Sequence, residues 1–233
     1  MINKRPSNER GITDLDWLKS RFSFSFDHYY DPKWMGYRTL RVINDDRVAP
    51  AAGFPTHPHR DMEIITYMLE GELAHKDSMG NGSRIGAGEV QRMTAGTGVL
   101  HSEFNPSRSD AARLLQIWML PRAKGLAPGY DQKKFKTEAK EGNLLLVVSG
   151  DGRDGSMRIE QDADLYATVL AGDQTVEHKL ADGRGAWLQV ACGSVELNGV
   201  KLEEGDGAFT DDERLLRIRG SNGRAEVLLF DLG

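Results

Sequence analysis

The sequence predicts an all-β chain made of two tandem β-barrel domains of jelly-roll type, with few short helices. Three observations carry that prediction. Glycine is plentiful, at 26 of 233 residues. Long stretches with a 3.6-residue apolar period are scarce, and short β-rich runs recur between turn signals. The opening segment departs from this pattern: residues 12–20 predict a short helix capped near Thr13, and residues 22–30 carry five aromatics. Strands are then expected at 63–69 (EIITYML), 90–94, 99–104 and 113–120 (RLLQIWML). The second half continues with strands at 144–149, 165–170, 186–192, 214–219 and 225–232. Between them lie Asn81-Gly82, Asp151-Gly152, Asp154-Gly155, Asp182-Gly183 and Asn198-Gly199, dipeptides that tolerate positive φ and so suit tight hairpins.

Residues 121–142 are rich in Lys, Gly and Pro and poor in β-formers, which reads as a boundary. It places an N-terminal domain at 1–125, a linker at 126–142 and a C-terminal domain at 143–233. A weak internal repeat supports the division: a strand end at Gly71, a hairpin and a strand start at Gly88 are echoed by Gly193, Asn198-Gly199 and Gly205.

Composition narrows the function classes. At 39% hydrophobic and 28% charged residues the chain is expected to fold around substantial cores. The net charge of −5 argues against a nucleic-acid binder held by phosphate neutralisation. No apolar run approaches the length that crosses a bilayer, and the N-terminus has no apolar stretch of a secretory signal. A single cysteine, Cys192, rules out an internal disulfide framework and argues against a thiolate zinc site; a small buried side chain is its expected role. A cytoplasmic monomer is the expectation.

His57-Pro58-His59 and His101-Ser102-Glu103 carry the chemistry. Three of the six histidines fall in these two runs, and in each run the candidate ligands are two residues apart. Side chains at i and i+2 leave one face of a strand, so two facing strands would offer three imidazoles and one carboxylate to a divalent transition metal. Strand parity continued from His57 also reaches Glu63, so the carboxylate is Glu103 or Glu63, with Glu103 favoured because it repeats the two-residue spacing. Glu63 would otherwise support a histidine tautomer. His75, in a hairpin arm, is expected at the surface or in a supporting position rather than as a ligand. His28 is expected to be structural, with the pocket mouth as its other possible place. Phe54, Met62 and Phe104 flank the ligands as candidate pocket walls. Glu203-Glu204 and Asp211-Asp212-Glu213 read as solvated loop charges, and Ala95-Gly96-Thr97-Gly98 lacks the strand-to-helix setting of a phosphate loop. Counting from the glycines of the repeat gives Lys179, Ala181, Ile218 and Gly220 at the ligand positions of the second half, with His178 one residue off. A second metal site is therefore not expected.

The first half resembles the cupin superfamily: His57, His59, Glu63 and Gly71 match its first motif. Gly88, Thr94-Ala95-Gly96, His101 and Asn105 match its second, with Thr94 where a proline usually stands. The runs THPHRDMEIITYMLEGELAHKDSMGN, MTAGTGVLHSEFNPS and FSFSFDHYYDPKWMGYRTLRVINDD resemble the pirin family, and most closely its bacterial members described as quercetin 2,3-dioxygenases. That resemblance implies a bicupin with an N-terminal metal site and a degenerate C-terminal barrel. It also implies His57, His59, His101 and Glu103 as ligands, and ferrous iron ahead of manganese, cobalt, nickel, copper or zinc. The activity it implies is opening of the central ring of a flavonol such as quercetin by O₂ with loss of carbon monoxide, Glu103 acting as base. The other activity implied by the family is a metal-dependent regulatory protein that acts through a protein partner without turnover.

Overall fold

The computed structural model describes residues 1–221 and 223–233. The chain divides into two compact units. The first comprises residues 11–134 with 159–161, and the second residues 1–10, 135–158 and 162–233.

In the first unit a seven-stranded sheet runs in the order Gly129–Lys134, Glu89–Thr94, Glu63–Glu70, Ala112–Met119, Leu40–Val48, Leu18–Phe22, Gly11–Asp14. A four-stranded sheet runs Gly53–His59, Val99–Phe104, Glu72–Asp77, Gly82–Gly86. Every pairing among these strands is antiparallel. Leu73 and Ile85 of the smaller sheet pack with Met68, Leu114, Leu18 and Val48 of the larger one, so the two sheets share an apolar interior. Each such fully buried side chain contributes about 1.5–3 kcal/mol. This is a jelly-roll-like pair of sheets rather than a closed barrel.

The second unit repeats the plan. Its seven-stranded sheet runs Asn3–Arg5, Gly207–Thr210, Gly185–Cys192, Arg224–Leu232, Ala163–Ala171, Leu145–Ser149, Met157–Arg158, and its four-stranded sheet Thr175–Lys179, Leu215–Gly220, Ser194–Leu197, Val200–Glu203. Its core draws Leu188, Leu229 and Ala208 from one sheet and Val195, Leu216 and Ile218 from the other.

Most expected strands form close to their predicted positions, and several local expectations need correction. Asp182-Gly183 makes no hairpin, because it joins Thr175–Lys179 of the four-stranded sheet to Gly185–Cys192 of the seven-stranded one. Residues 12–20 are not helical. They form the hairpin of Gly11–Asp14 with Leu18–Phe22, Gly11 opposite Phe22 and Asp14 opposite Lys19. The second of these strands alternates buried and exposed, the period of a strand with one face on the core. Residues 121–142 are not bare linker, because Gly129–Lys134 closes the edge of the first sheet against Glu89–Thr94, and Thr137–Lys140 is the one α-helix among the described residues. Asp151-Gly152 and Asp154-Gly155 do not make a hairpin: the first leads into a 3₁₀ turn at Arg153–Gly155, the second lies within it, and the strands on either side pair in parallel. Cys192 is half-buried rather than buried. Asn198-Gly199 does turn a two-residue hairpin, with φ of 47° and 87° as a type I′ turn requires. Among the described residues, no helix is long and apolar enough to cross a membrane.

Candidate metal centre

Val99–Phe104 lies between Gly53–His59 and Glu72–Asp77, and this position builds the site. On one side His101 stands opposite His57 and Val99 opposite His59. A bulge after His101 then sets Glu103 opposite Phe54. On the other side Glu103 stands opposite His75 and His101 opposite Asp77. The close approach at the bulge requires Gly53, since a Cβ there would lie 2.2 Å from the Glu103 carbonyl oxygen.

His57, His59 and His101 converge. Their ring centroids are 4.8 Å (57–59), 4.4 Å (57–101) and 4.8 Å (59–101) apart, and one nitrogen of each lies within 4.8 Å of the others. The His57 Nδ1–H donates to the Pro55 carbonyl at 2.8 Å, which leaves its Nε2 lone pair facing the His101 Nε2 at 2.9 Å. Burial, reinforced by the neighbouring His57, lowers the His59 pKa to about 4. Burial and the imidazoles of His57, His59 and His75 lower that of His101 to about 3, against an opposing pull from Asp77. The His59 and His101 rings are therefore neutral at physiological pH, with lone pairs available to a cation. The donor set suits a divalent transition metal.

Glu103 belongs to a second cluster that shares His101: His75, His101 and Glu103 also present ligand atoms within 4.8 Å of one another. Its carboxylate accepts from Gln116 Nε2 at 3.0 Å and from Thr66 Oγ1 at 3.5 Å. Burial and then the charge of Asp46 push its pKa up to about 7, although hydrogen bonds from Gln91, Thr66 and Gln116 pull the other way. Glu63 joins neither cluster. It is fully buried and accepts from Thr94 Oγ1 at 2.9 Å. Parity fails to carry it to the histidines because a turn at Asp61, with φ of 50°, moves the chain into the other sheet.

The site opens onto a cavity of about 610 Å³ whose wall includes His57, His59, Glu103 and Gln116, a size typical of small-molecule sites. Its other walls are aromatic. Trp17 meets Phe54 edge-on at 5.2 Å, and Trp118 meets both Phe26 at 5.4 Å and His59 at 4.8 Å. Ser20, Asn44 and Asp46 form a polar end, with Ser20 Oγ donating to Asp46. Of the expected walls, Phe54 lines the cavity and Met62 packs beside Ile64 and Met93, whereas Phe104 is 41% exposed and points away. Phe104 takes the opposite parity from His101 and Glu103, which accounts for the difference. His75 is not at the surface: its side chain is wholly buried. His28 is exposed and bonded to Asp27 and the Ile12 carbonyl.

Sequence reasoning missed the polar row that supports Glu103. Asn44, Gln116, Thr66, Gln91 and Gln132 stand opposite one another across five adjacent strands. The available signal was one polar residue in the middle of each apolar run, Thr66 in EIITYML and Gln116 in RLLQIWM.

Comparison with known proteins agrees with this architecture. The Pirin family model matches residues 4–119, and one described as a quercetinase C-terminal cupin domain matches residues 146–232. A curated relative named quercetin 2,3-dioxygenase, from Escherichia coli K12, is 48% identical over 100% of this chain and 99% of its own. A pirin-like protein from Caulobacter vibrioides is 40% identical, with 99% of each chain covered. The crystal structure of bacterial pirin YhhW from Escherichia coli in complex with nickel(II) superposes with a TM-score of 0.94 at 47% identity, over 100% of this chain and 99% of that one. With two matched sheet pairs, a histidine cluster in the first and full-length relatives of this similarity, the chain belongs to the pirin family.

Proposed function

We propose that this protein is a metal-dependent dioxygenase that opens the central ring of flavonols such as quercetin, with His57, His59, His101 and Glu103 holding the metal. The observation that carries the reading is the shared wall: His57, His59 and the buried carboxyl of Glu103 border one aromatic cavity of about 610 Å³, and His101 converges on the same two histidines. The names of the full-length relatives point the same way.

A bound divalent metal, ferrous iron first among those to be tried, would act as a Lewis acid on the flavonol 3-hydroxyl and lower its pKa. Trp17, Phe54, Phe26 and Trp118, all in the cavity wall, provide edges and faces that would hold a flat aromatic ligand and exclude water. Glu103 takes the 3-hydroxyl proton. A carboxylate that loosens from the metal can serve in turn as ligand and as base. Gln116 and Thr66 keep the Glu103 carboxylate oriented through that exchange. O₂ then adds to the electron-rich flavonolate. The two carbon–carbon bonds to the carbon bearing the oxygen break, that carbon leaves as carbon monoxide, and an ester of two phenolic acids remains.

The test loads the protein anaerobically with ferrous iron, adds quercetin and O₂, and measures flavonol loss together with carbon monoxide. One carbon monoxide per quercetin consumed is the expected result. Absence of turnover with iron, manganese, cobalt, nickel and copper alike would refute the assignment.

A further inference from the structure

The inward face of the large sheet carries a second polar row besides the one that supports Glu103. Thr13 stands opposite Ser20 and Ser20 opposite Asp46, so three adjacent strands each bring one polar side chain to the cavity wall. Asn44, also in that wall, precedes Asp46 by two residues and shares its face of the sheet. It stands opposite Gln116, which donates to Glu103. The polar surface therefore leads from beside Glu103, across strands spaced about 4.8 Å apart, to the sheet edge at Gly11–Asp14.

Three side chains of this wall carry buried atoms with no hydrogen-bond partner among the described residues. Asn44 is 3% exposed, and its Oδ1 is one of them. Thr13 Oγ1, at the far end of the row, is another, and Trp118 Nε1 is the third. Between Thr13 and Asn44, Ser20 Oγ donates to Asp46, which leaves the lone pairs of the Ser20 oxygen as acceptors. Buried polar groups are nearly always paired, because an unpaired one carries its full desolvation cost. Three of them in the wall of one cavity mark a surface shaped for a polar group of a ligand.

Their chemistry defines that group. An amide carbonyl needs a donor, an indole N–H needs an acceptor, and a threonine hydroxyl takes either. A ligand hydroxyl suits all three, since it both donates and accepts. The terminal torsion of an asparagine is broad and two-fold, so a half-turn presents whichever end of the Asn44 amide the hydroxyl requires. The neighbouring wall is aromatic, with Phe22 and Phe26 at 5.3 Å and Phe26 meeting Trp118 at 5.4 Å, which suits a hydroxyl borne on a flat ring.

We propose that Asn44 and Thr13, with the Ser20–Asp46 pair between them, form a specificity subsite for a second aryl hydroxyl of the ligand, apart from the hydroxyl at the metal. The subsite deepens the flavonol reading and rests on it. It selects polyhydroxylated flavonols over those that carry the 3-hydroxyl alone. A site built to pair a hydroxyl rejects the analogue lacking it, because its own polar groups are then stranded.

Binding without turnover tests the subsite. Three flavonols are titrated calorimetrically, under nitrogen, into the nickel(II)-loaded protein: 3-hydroxyflavone, galangin with further hydroxyls on the fused ring only, and quercetin with hydroxyls on the pendant ring as well. Quercetin should bind about tenfold more tightly than 3-hydroxyflavone. Asn44→Leu, which keeps the bulk of the side chain and makes no hydrogen bond, should bring the two affinities to within about twofold of each other. Galangin tells the rings apart: it follows quercetin if the fused ring supplies the hydroxyl and 3-hydroxyflavone if the pendant ring does, and either result supports the subsite. A purely structural role for Asn44 would weaken all three flavonols alike and keep the natural ratio, which would overturn the proposal. Equal affinities for quercetin and 3-hydroxyflavone in the natural protein would overturn it too. Should Asn44→Leu fail to fold, Thr13→Val decides by the same ratio, a reduced preference for quercetin supporting the subsite and an unchanged one refuting it. Failure of the natural protein to take up nickel(II), or to bind any of the three, would instead refute the flavonol reading, and this inference with it.

Discussion

The two units have matching sheet orders but differ at the positions facing inward from their four-stranded sheets. In the first, His101 pairs with His57 and Val99 with His59. In the second, Ile218 pairs with Val176 and Leu216 with His178. The strand register thus puts Val176, His178, Ile218 and Gly220 where the first unit has His57, His59, His101 and Glu103. One histidine survives there, and it has a different task. His178 Nε2 is 2.7 Å from Asp231, which also accepts from Arg184, while Tyr166 packs against the imidazole at 4.8 Å. The same strand framework thus places an imidazole among other imidazoles in one unit and against a carboxylate in the other. Convergent imidazoles offer ring nitrogens to a cation, whereas the His178 Nε2 is taken up by Asp231. Three residues of context, rather than the fold, separate the two outcomes.

The largest expected effect comes from giving the first unit the second unit's residue. His101→Ile should weaken cobalt(II) or nickel(II) binding beyond the about 10–100-fold expected for a supporting residue, as isothermal titration would measure. Binding within tenfold of natural would break the comparison.

Next comes Asp231→Asn, which should cost about 3 kcal/mol of stability at neutral pH, since it breaks a buried pair. Burial raises the Asp231 carboxyl, but His178 and Arg184 outweigh it and hold the group below its ordinary value of 3.8. A depressed carboxyl stabilises the fold above pH 3.8 and loses that contribution as pH falls through its lowered folded value. Denaturant curves of the natural protein and the variant should therefore differ at pH 7 and approach each other below pH 3.8. A constant gap across that range would contradict the assignment.

Gly53→Ala should cost about 1–3 kcal/mol through overpacking against the bulge and should displace Glu103, whose carbonyl the new Cβ would meet. Chemical denaturation together with metal affinity checks both parts. The smallest effect is expected at His28, 59% exposed at its side chain and outside both clusters. His28→Ala should change stability by no more than about 0.5 kcal/mol and leave metal binding unaltered.

Much of the fold was legible because strand parity is local. The H-x-H and H-x-E runs point inward as alternation requires, and the long apolar strands fall where their sequences predict. What was hidden depends on distant partners. Residues 12–20 carry no strand signal of their own and become a hairpin only because Leu40–Val48 offers an edge to pair with. Gly129–Lys134 and Asn3–Arg5 are polar strands completed by the sheets they join. Counting forward from Gly205 reached Ile218 and Gly220, where the register puts them, but counting back from Gly193 stopped short of Val176 and His178, in part because the connection after Thr175–Lys179 spans 180–184 whereas the corresponding one in the first unit spans 60–62. The convergence of His57, His59 and His101 was legible in their spacing. The supports of Glu103 were not, because a lone Thr66 or Gln116 gains meaning only when the register lines them up across the sheet.

The most direct test of the account is metal location by anomalous diffraction from crystals grown with nickel(II). The account predicts one strong peak per chain, bounded by His57, His59, His101 and Glu103, and none beside His178. A peak at His178 and Asp231, or none at the three-histidine cluster, would contradict it.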